Sequence, residues 1–166
     1  MHEFTFRQLL IAPYVETVRD GVGSVMTSYS RWNGVKLHGH RYLLSDVLKG
    51  QLGFDRFVVS DWAGIDRLHA GYKEAIALAM NAGLDMAMLL NGPGQPNSYR
   101  DFVRFMGELV REGRVPQARM DEAVRRILRI KMRLGCEKGR CLQSICSPMW
   151  TELSTAPWPG NVSGNL

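Results

Sequence analysis

The first 135 residues alternate between segments with helical spacing of apolar residues and short segments rich in strand-forming residues. From the N-terminus, the pattern predicts helices and strands in the order α-β-α-β-α-β-α-α. Strands that alternate with helices are typical of βαβ units, in which neighbouring strands run parallel. The chain is therefore predicted to have an α/β fold.

The bounds of these segments follow from periodicity and from residues that begin or end helices. Gly83 occupies a helix stop position and Ser98 can cap the helix that follows it. Val58 and Val59 lie at the centre of the second strand. The predicted helices cover residues 9–19, 41–52, 72–82, 99–112 and 121–134, and the predicted strands cover residues 21–30, 54–61 and 84–90.

Three strands are too few for a closed barrel of eight parallel strands, which needs about 250 residues. A free three-stranded parallel sheet would expose its edges. Two architectures therefore stay open at this point: a small three-layer α/β domain, or the last part of a larger barrel.

Residues 136–166 differ in kind, since they show no sustained helical or strand period. Pro148, Pro157 and Pro159 interrupt them. Residues 1–135 are therefore predicted to form the folded domain, and residues 136–166 an irregular tail.

The charge balance is moderately basic, with a formal net charge of +5. The last helix carries several arginines, which would suit a small nucleic-acid binder. However, Ala123, Ile127, Ile130 and Leu134 recur at helical spacing on another face. An amphipathic helix with its basic side in water is the simpler interpretation, and no nucleic-acid partner is predicted.

No apolar run reaches the roughly 18 residues that a membrane span requires. The first seven residues also lack the basic-then-apolar order of a signal peptide. The sequence thus predicts no membrane partner and points to no compartment.

Active residues of parallel α/β folds cluster where strands end. Tyr29 lies at the end of the first predicted strand, and Asp61 ends the second. A carboxylate there can act as a nucleophile, general base or metal ligand, or it can cap the next helix. Trp62, beside it, suits either packing or stacking on a sugar.

His38 and His40 form a pair that could bind a metal, but no third ligand is identifiable. Exposed or hydrogen-bonding histidines are therefore the preferred interpretation. The three cysteines fit no standard zinc spacing. Asp66 and Asp85 are expected to accept bonds from backbone donors, and the sequence predicts neither a metal nor a cofactor.

Five segments together resemble a known family. The most specific are VMTSYSRWNGVK at residues 25–36 and FVVSDW at residues 57–62. The chain resembles the N-terminal barrel domain of glycoside hydrolase family three, the β-glucosidase and exo-β-glucanase group. The likeness covers essentially residues 1–135 and includes DVLKGQLGF at 46–54, AGLDM at 82–86 and DEAVRRIL at 121–128.

The resemblance implies a partial TIM-type (β/α) barrel that comprises its last three strands and their helices. It implies that Asp61 is the catalytic nucleophile, that Tyr29 lies close to it, and that Met26 lines the same sugar pocket. Trp62 corresponds to an aromatic position that stacks on the next sugar unit of the substrate. Arg56 departs from the pattern, since a glycine is common there.

The implied activity is hydrolysis of terminal β-D-glucosyl residues with retention, on a β-glucoside or β-glucan oligosaccharide. The resemblance places the acid/base residue on a second, sheet-sandwich domain, and a lysine–histidine pair and an acidic residue on earlier barrel strands. These segments are expected to be missing here, so the chain alone is expected to be inactive. Parent enzymes of this type are often exported.

Residues 151–165 suggest a hypothesis about the tail. Back-translation with a shift of one base permits a segment that resembles the linker after the family's barrel. The hypothesis is that residues 136–166 are frameshifted. As an alternative function, a non-catalytic fragment could bind carbohydrate through Tyr29, Trp32 and Trp62.

Overall fold

The computed structural model describes residues 2–90 and 97–136. The chain divides into two compact units, Met1–Arg129 and Ile130–Leu166. The described part of the second unit is the end of the last helix and the turn after it. Apart from Cys136, the predicted irregular tail and the proposed frameshift fall outside the described residues.

Helices provide most of the secondary structure. The N-terminal helical segment runs without a break through α1 (Glu3–Phe6), a π-helical stretch (Arg7–Ile11) and α2 (Ala12–Arg19), and a second π-helix covers Tyr42–Gln51. The other helices are α3 (Tyr72–Ala82), α4 (Tyr99–Arg111) and α5 (Gln117–Arg133), with single 3₁₀ turns at Leu37–Gly39 and Ile65–Arg67.

The five predicted helices are all present; α3 has the predicted bounds, and the other four differ at one or both ends. Gly83 ends α3 in the left-handed conformation, with φ of 112°. Ser98 begins α4 in a capping box with Asp101. The first helical segment starts six residues earlier than predicted, and Pro13 lies within it, at the junction between the π-helical stretch and α2.

The sheet is parallel and follows chain order. Strand β1 (Ser24–Met26) pairs with β4 (Phe57–Val59), with Val25 opposite Val58. The predicted third strand, residues 84–90, is reduced to a single parallel bridge between Val59 and Met86. It ends there because β4 itself stops at Val59, and Met88 bonds instead to the side chain of Ser60.

A β-hairpin follows the first strand, and the sequence prediction missed it. Strand β2 (Arg31–Trp32) pairs with β3 (Val35–Lys36) in antiparallel fashion. Asn33 and Gly34 between them have φ of 49° and 83°. This is the type I′ geometry that the Asn-Gly pair favours, so the signal was present in the sequence.

The main core lies between the sheet and helices α3 and α4. Ala75 and Ala79 of α3 are fully buried, as are Val58 of β4 and Leu109 of α4. A second cluster stacks Phe6 on Trp32 with ring centroids 4.6 Å apart. Within the described residues, no helix combines the length and apolar character needed to cross a membrane.

A buried carboxylate connects the π-helix, β4 and α5. Asp85 is fully buried at its side chain and lies 2.8 Å from the Nζ atom of Lys49 and 2.5 Å from Arg119. Its other oxygen accepts a bond of 2.9 Å from the backbone N–H of Val58. Burial lowers the pKa of Lys49, whereas the charge of Asp85 raises it. The expectation that Asp85 accepts a backbone bond is confirmed.

The basic side of α5 is not wholly in water, contrary to expectation. Arg126 donates to the carbonyls of Phe54 and Arg56, at 2.8 and 2.9 Å, just before β4 begins. Arg129 donates to the carbonyl of Asp55. These arginines satisfy backbone acceptors that the short strand leaves unpaired, and so attach α5 to the start of β4.

Replacing Asp85 with asparagine should destabilise the chain by about 3 kcal/mol, because Lys49 and Arg119 lose their fully buried counter-charge and keep only the partly exposed Glu122. Urea unfolding followed by far-UV circular dichroism measures the change. The control is Asp121→Asn, since this exposed carboxylate lies 4.0 Å from Arg125. It should leave the unfolding midpoint unchanged. Equal midpoints for the two variants would contradict the role of Asp85.

Candidate active site

Three of the predicted site residues meet where β1 and β4 end. The hydroxyl of Tyr29 donates to the backbone carbonyl of Trp62. Asp61 is half-buried, and its Oδ1 accepts a bond of 2.6 Å from the N–H of Trp62. The Oδ2 atom has no hydrogen-bond partner among residues 2–90 and 97–136. One carboxylate oxygen is therefore oriented while the other is available to react.

Hydrogen bonds fix the segment at the end of β4, residues 60–64, which we call the rim. The backbone N–H of Thr27 donates to the carbonyl of Val59 over 2.9 Å. The buried Ser60 accepts a bond of 2.7 Å at Oγ from Met88. Ala63 then adopts φ of 49°, and the chain turns so that the N–H of Gly64 reaches the carbonyl of Asp61 at 3.0 Å. Asp61 is thus held on both sides by backbone that cannot shift freely.

His38 is the positioning residue that the sequence did not assign to this site. It is 2% exposed, and its Nε2 accepts a bond of 3.1 Å from the backbone N–H of Asp61. An accepting Nε2 means that the neutral ring carries its proton on Nδ1. Burial is the largest influence and lowers the pKa of His38, which favours this neutral form.

Neither histidine is exposed, so only the hydrogen-bonding alternative of the sequence interpretation is confirmed. His40 is 8% exposed and accepts a bond from the N–H of Leu43. Asp66 accepts its bond from the side-chain amide of Asn97, not from the expected backbone donor. In the described part of the chain, no group of three or more metal-ligating side chains occurs.

The remaining predicted residues lie at different places. Trp62 is 57% exposed beside Asp61, which excludes the packing interpretation. Met26 lies on β1 opposite Val59, and its side chain lines a separate apolar cavity of about 270 Å³ beside Phe6 and Tyr14. Trp32 is buried against Phe6, so it is not part of an open mouth with Tyr29 and Trp62.

Arg67 completes the surroundings of Tyr29, although no sequence pattern singled it out. Its guanidinium carbon lies 4.5 Å from the centre of the Tyr29 ring. A guanidinium over an aromatic face is attracted by the ring's negative face. The 3₁₀ turn Ile65–Arg67, which follows the bend after Asp61, brings the side chain there.

A strand-end carboxylate beside an exposed tryptophan defines a class of α/β protein that is suited to carbohydrate chemistry. Comparison with known proteins agrees with this class. Residues 1–130 match the glycosyl hydrolase family 3 N terminal domain. The chain therefore belongs to glycoside hydrolase family 3.

Similar proteins include two curated enzymes and a solved structure. The lysosomal beta glucosidase of Dictyostelium discoideum is 34% identical over 80% of this chain and 16% of its own length. The beta-xylosidase of Formosa agariphila is 32% identical over 81% of this chain and 19% of its own. The structure of an exo-1,3/1,4-beta-glucanase from a Pseudoalteromonas species is 39% identical, with a TM-score of 0.75 over 83% of this chain and 16% of that one. The chain therefore spans less than a fifth of each of these relatives.

Gly64→Ala should destabilise the chain, because a Cβ at this position would lie 2.0 Å from Nε2 of His38. The imidazole would have to leave its bond to Asp61. The matched control is Gly107→Ala in α4, where nothing lies within 4 Å of the added carbon. Since alanine favours a helix by about 1 kcal/mol over glycine, the control should be neutral or stabilising. Thermal unfolding that ranks the two variants in the opposite order would contradict this packing.

Acidification should lower the stability of the chain. The pKa of buried His38 lies below its ordinary value of 6.5, so the unfolded chain binds more protons between the two values. The free energy of unfolding is therefore full above about pH 6.5 and falls as the pH drops through that interval. His40 acts in the same direction. The free energy of unfolding, measured with urea at several pH values from about 7 to 5, should fall less steeply with decreasing pH in His38→Gln than in the parent chain. An unchanged slope would rule out His38 as a contributor.

Proposed function

We propose that this chain is part of a retaining β-glycosidase in which Asp61 is the catalytic nucleophile. The observation that carries the proposal is the state of the Asp61 carboxylate at the end of β4. One oxygen is fixed by the N–H of Trp62, and the other has no partner in the described residues. Tyr29 and the exposed ring of Trp62 lie beside it.

The proposed reaction has two displacements. Oδ2 of Asp61 attacks the anomeric carbon and the bond from that carbon to the leaving oxygen breaks, while an acid about 5 Å away from the nucleophile protonates the leaving oxygen. Water then attacks the glycosyl–Asp61 ester, with the same second group as base, and releases the sugar with its configuration retained. The Trp62 N–H holds the carboxylate in one orientation through both steps.

We assign the acid role to none of the residues that the structure describes. General acid catalysis is worth about 10²–10⁴ in rate, and correct positioning of the sugar adds further factors. We therefore propose that the chain alone does not hydrolyse ordinary glycosides, whose leaving groups need a proton. A leaving group that needs no proton removes the first of these requirements.

For the architecture, we propose that residues 1–135 are the last three strands of a TIM-type (β/α) barrel with their helices. The parallel order of β1, β4 and the Met86 bridge supports this, because each of these parallel segments lies beside the next parallel one along the chain, with the β2–β3 hairpin as an excursion between β1 and β4. Residues 136–166 are proposed to lie outside the barrel domain.

For the substrate, we propose a β-glucoside or a β-glucan oligosaccharide that is cleaved at its terminal β-D-glucosyl residue. The names of the similar beta glucosidase and exo-1,3/1,4-beta-glucanase support a glucosyl unit. The similar beta-xylosidase supports a pentose as the competing choice. A parallel assay with aryl β-glucoside and aryl β-xyloside probes separates the two.

A second candidate function is carbohydrate binding without turnover. The 57% exposure of Trp62 favours it, since an exposed indole offers an apolar face for a sugar ring. With Trp32 buried, that surface consists of Tyr29 and Trp62 alone. Binding that persists unchanged in Asp61→Asn, without any covalent adduct in the parent chain, would select this function.

The decisive experiment is labelling of the 166-residue chain with 2-deoxy-2-fluoro-β-D-glucosyl fluoride, followed by peptide mass spectrometry. Fluoride leaves without a proton, so the nucleophile can react even where an acid is missing. We expect a slowly formed adduct on Asp61 and no steady hydrolysis of methyl β-D-glucoside.

The controls are Asp61→Asn, which should take no label, and Asp66→Asn, which should keep it, because Asp66 bonds to Asn97 and not at the rim. Circular dichroism confirms that each variant is folded. A label on any other residue, or none on the folded parent chain, would refute the assignment of Asp61.

A further inference from the structure

A cleft of about 360 Å³ lies against the segment that carries Asp61 and is strongly cationic. Arg31, Lys36 and Arg67 all line it, and no carboxylate does. Its other walls are Tyr29, His38 and Gly64. Three positive charges around one opening attract an anion and raise its local concentration.

The hairpin brings two of these charges together at the place where side chains approach most closely. Arg31 is the direct cross-strand partner of Lys36. Since Leu37 donates to the carbonyl of Ser30, the adjacent Arg31–Lys36 pair occupies a position without hydrogen bonds between its partners. Like charges directly opposite each other in a hairpin are destabilising. An anion between them would convert this repulsion into attraction.

None of the three cations is neutralised by a carboxylate within residues 2–90 and 97–136. Other basic residues of the same chain are paired: Arg7 with Glu3, and Arg114 with Glu74. Arg67 instead lies on the face of Tyr29, which positions its charge but leaves its N–H donors available. A missing carboxylate partner is not confined to this cleft, since Arg100 bonds to the hydroxyl of Tyr99 and Arg111 to the carbonyl of Gly107. What distinguishes the cleft is that three such cations line one opening.

The cleft and the proposed nucleophile share two walls. His38 accepts the backbone N–H of Asp61, and Gly64 donates to the carbonyl of the same residue. Both also line the cleft. Burial lowers the pKa of His38, the charge of Asp61 raises it, and the charges of Arg67 and Lys36 lower it further, which agrees with the position of both cations near that ring. A ligand that bridges the rim and the cleft would have one sugar unit at Asp61 and a charged group a short distance away.

We infer that this cleft binds an oxyanion substituent, a carboxylate or a sulfate ester, on a glycan whose neighbouring sugar lies at Asp61. Arg31 and Arg67 offer planar pairs of donors that match the two oxygens of such a group, and Lys36 offers a compact charge. The inference rests on the proposed function, because it assigns the substrate of that site to acidic glycosides. A neutral glucan would leave the three cations without a counter-charge.

The test compares four probes on the full chain by isothermal titration calorimetry: methyl β-D-glucuronide, methyl β-D-glucoside 6-sulfate, neutral methyl β-D-glucoside and inorganic sulfate. At least one acidic sugar should bind about tenfold more tightly than the neutral sugar, and the stronger of the two identifies the substituent. It should also bind more tightly than inorganic sulfate. Equal affinity for acidic and neutral sugars, or for inorganic sulfate and the sulfated sugar, would overturn the inference.

The variant Arg31→Gln/Lys36→Gln should weaken binding of the acidic sugar by about tenfold or more and leave the neutral sugar unaffected. The matched control is Arg125→Gln on α5, an exposed arginine outside the cleft, which should bind as the parent does. The double variant should melt no lower than the parent, since it loses a repulsion. Unchanged affinity in the folded double variant would overturn the inference.

Asp61→Asn separates this inference from the proposed function. It should keep or improve binding of the acidic sugar, because it removes a nearby negative charge, while it abolishes covalent labelling. Labelling on Asp61 without selectivity for acidic sugars would refute the assignment of an acidic substituent and leave the proposed nucleophile standing. Selectivity for acidic sugars in a chain that labels elsewhere would instead refute the nucleophile and, with it, the placement of the neighbouring sugar.

Discussion

The fold depends on the carboxylate of Asp85, which is buried between two cations and one backbone N–H. Lys49 comes from the π-helix, Arg119 from α5, and the N–H of Val58 from β4. Removing a charge from water is costly, and only close partners offset that cost. The observed arrangement of these three elements satisfies Asp85, and a displacement that separated Asp85 from both cations would leave its buried charge unpaired. The short β4 strand is thus held by side chains as much as by its ladder.

The bond from Val58 to Asp85 holds the middle of β4, two residues before Ser60. Val58 and Val59 are also buried and paired with β1, so the position of the strand sets the position of Ser60 and Asp61. At the rim, neutral groups likewise hold the backbone in place. His38, which burial keeps uncharged, receives the N–H of Asp61, and the lack of a side chain at Gly64 gives the imidazole its space. Asp61 is held by contacts on its backbone, and its carboxylate accepts one bond, from the N–H of Trp62, which leaves Oδ2 without a partner in the described residues.

The sequence was sufficient for features that depend on neighbours along the chain. Periodicity predicted the helices, Gly83 and Ser98 marked their ends, and the strand-end rule selected Tyr29 and Asp61, which the structure brings together. It was insufficient where partners are far apart in sequence. Asp85 meets Lys49 across 36 residues, and His38 meets Asp61 across 23, and no local pattern encodes either contact. The burial of Trp32 depends likewise on Phe6, which precedes it by most of a helix and a strand.

Tyr29 connects the two halves of the site, because one side chain makes both contacts. Its hydroxyl bonds to the carbonyl of Trp62, next to Asp61, while the guanidinium of Arg67 lies over its ring face at the cleft. An anion bound between Arg67 and Lys36 would lie near the Tyr29 ring, and the hydroxyl of that ring bonds to the backbone beside Asp61. In the proposed substrate complex, the charged substituent and the segment that carries Asp61 would therefore share one aromatic neighbour. The cationic hairpin follows β1 directly, so its charges lie beside this same residue.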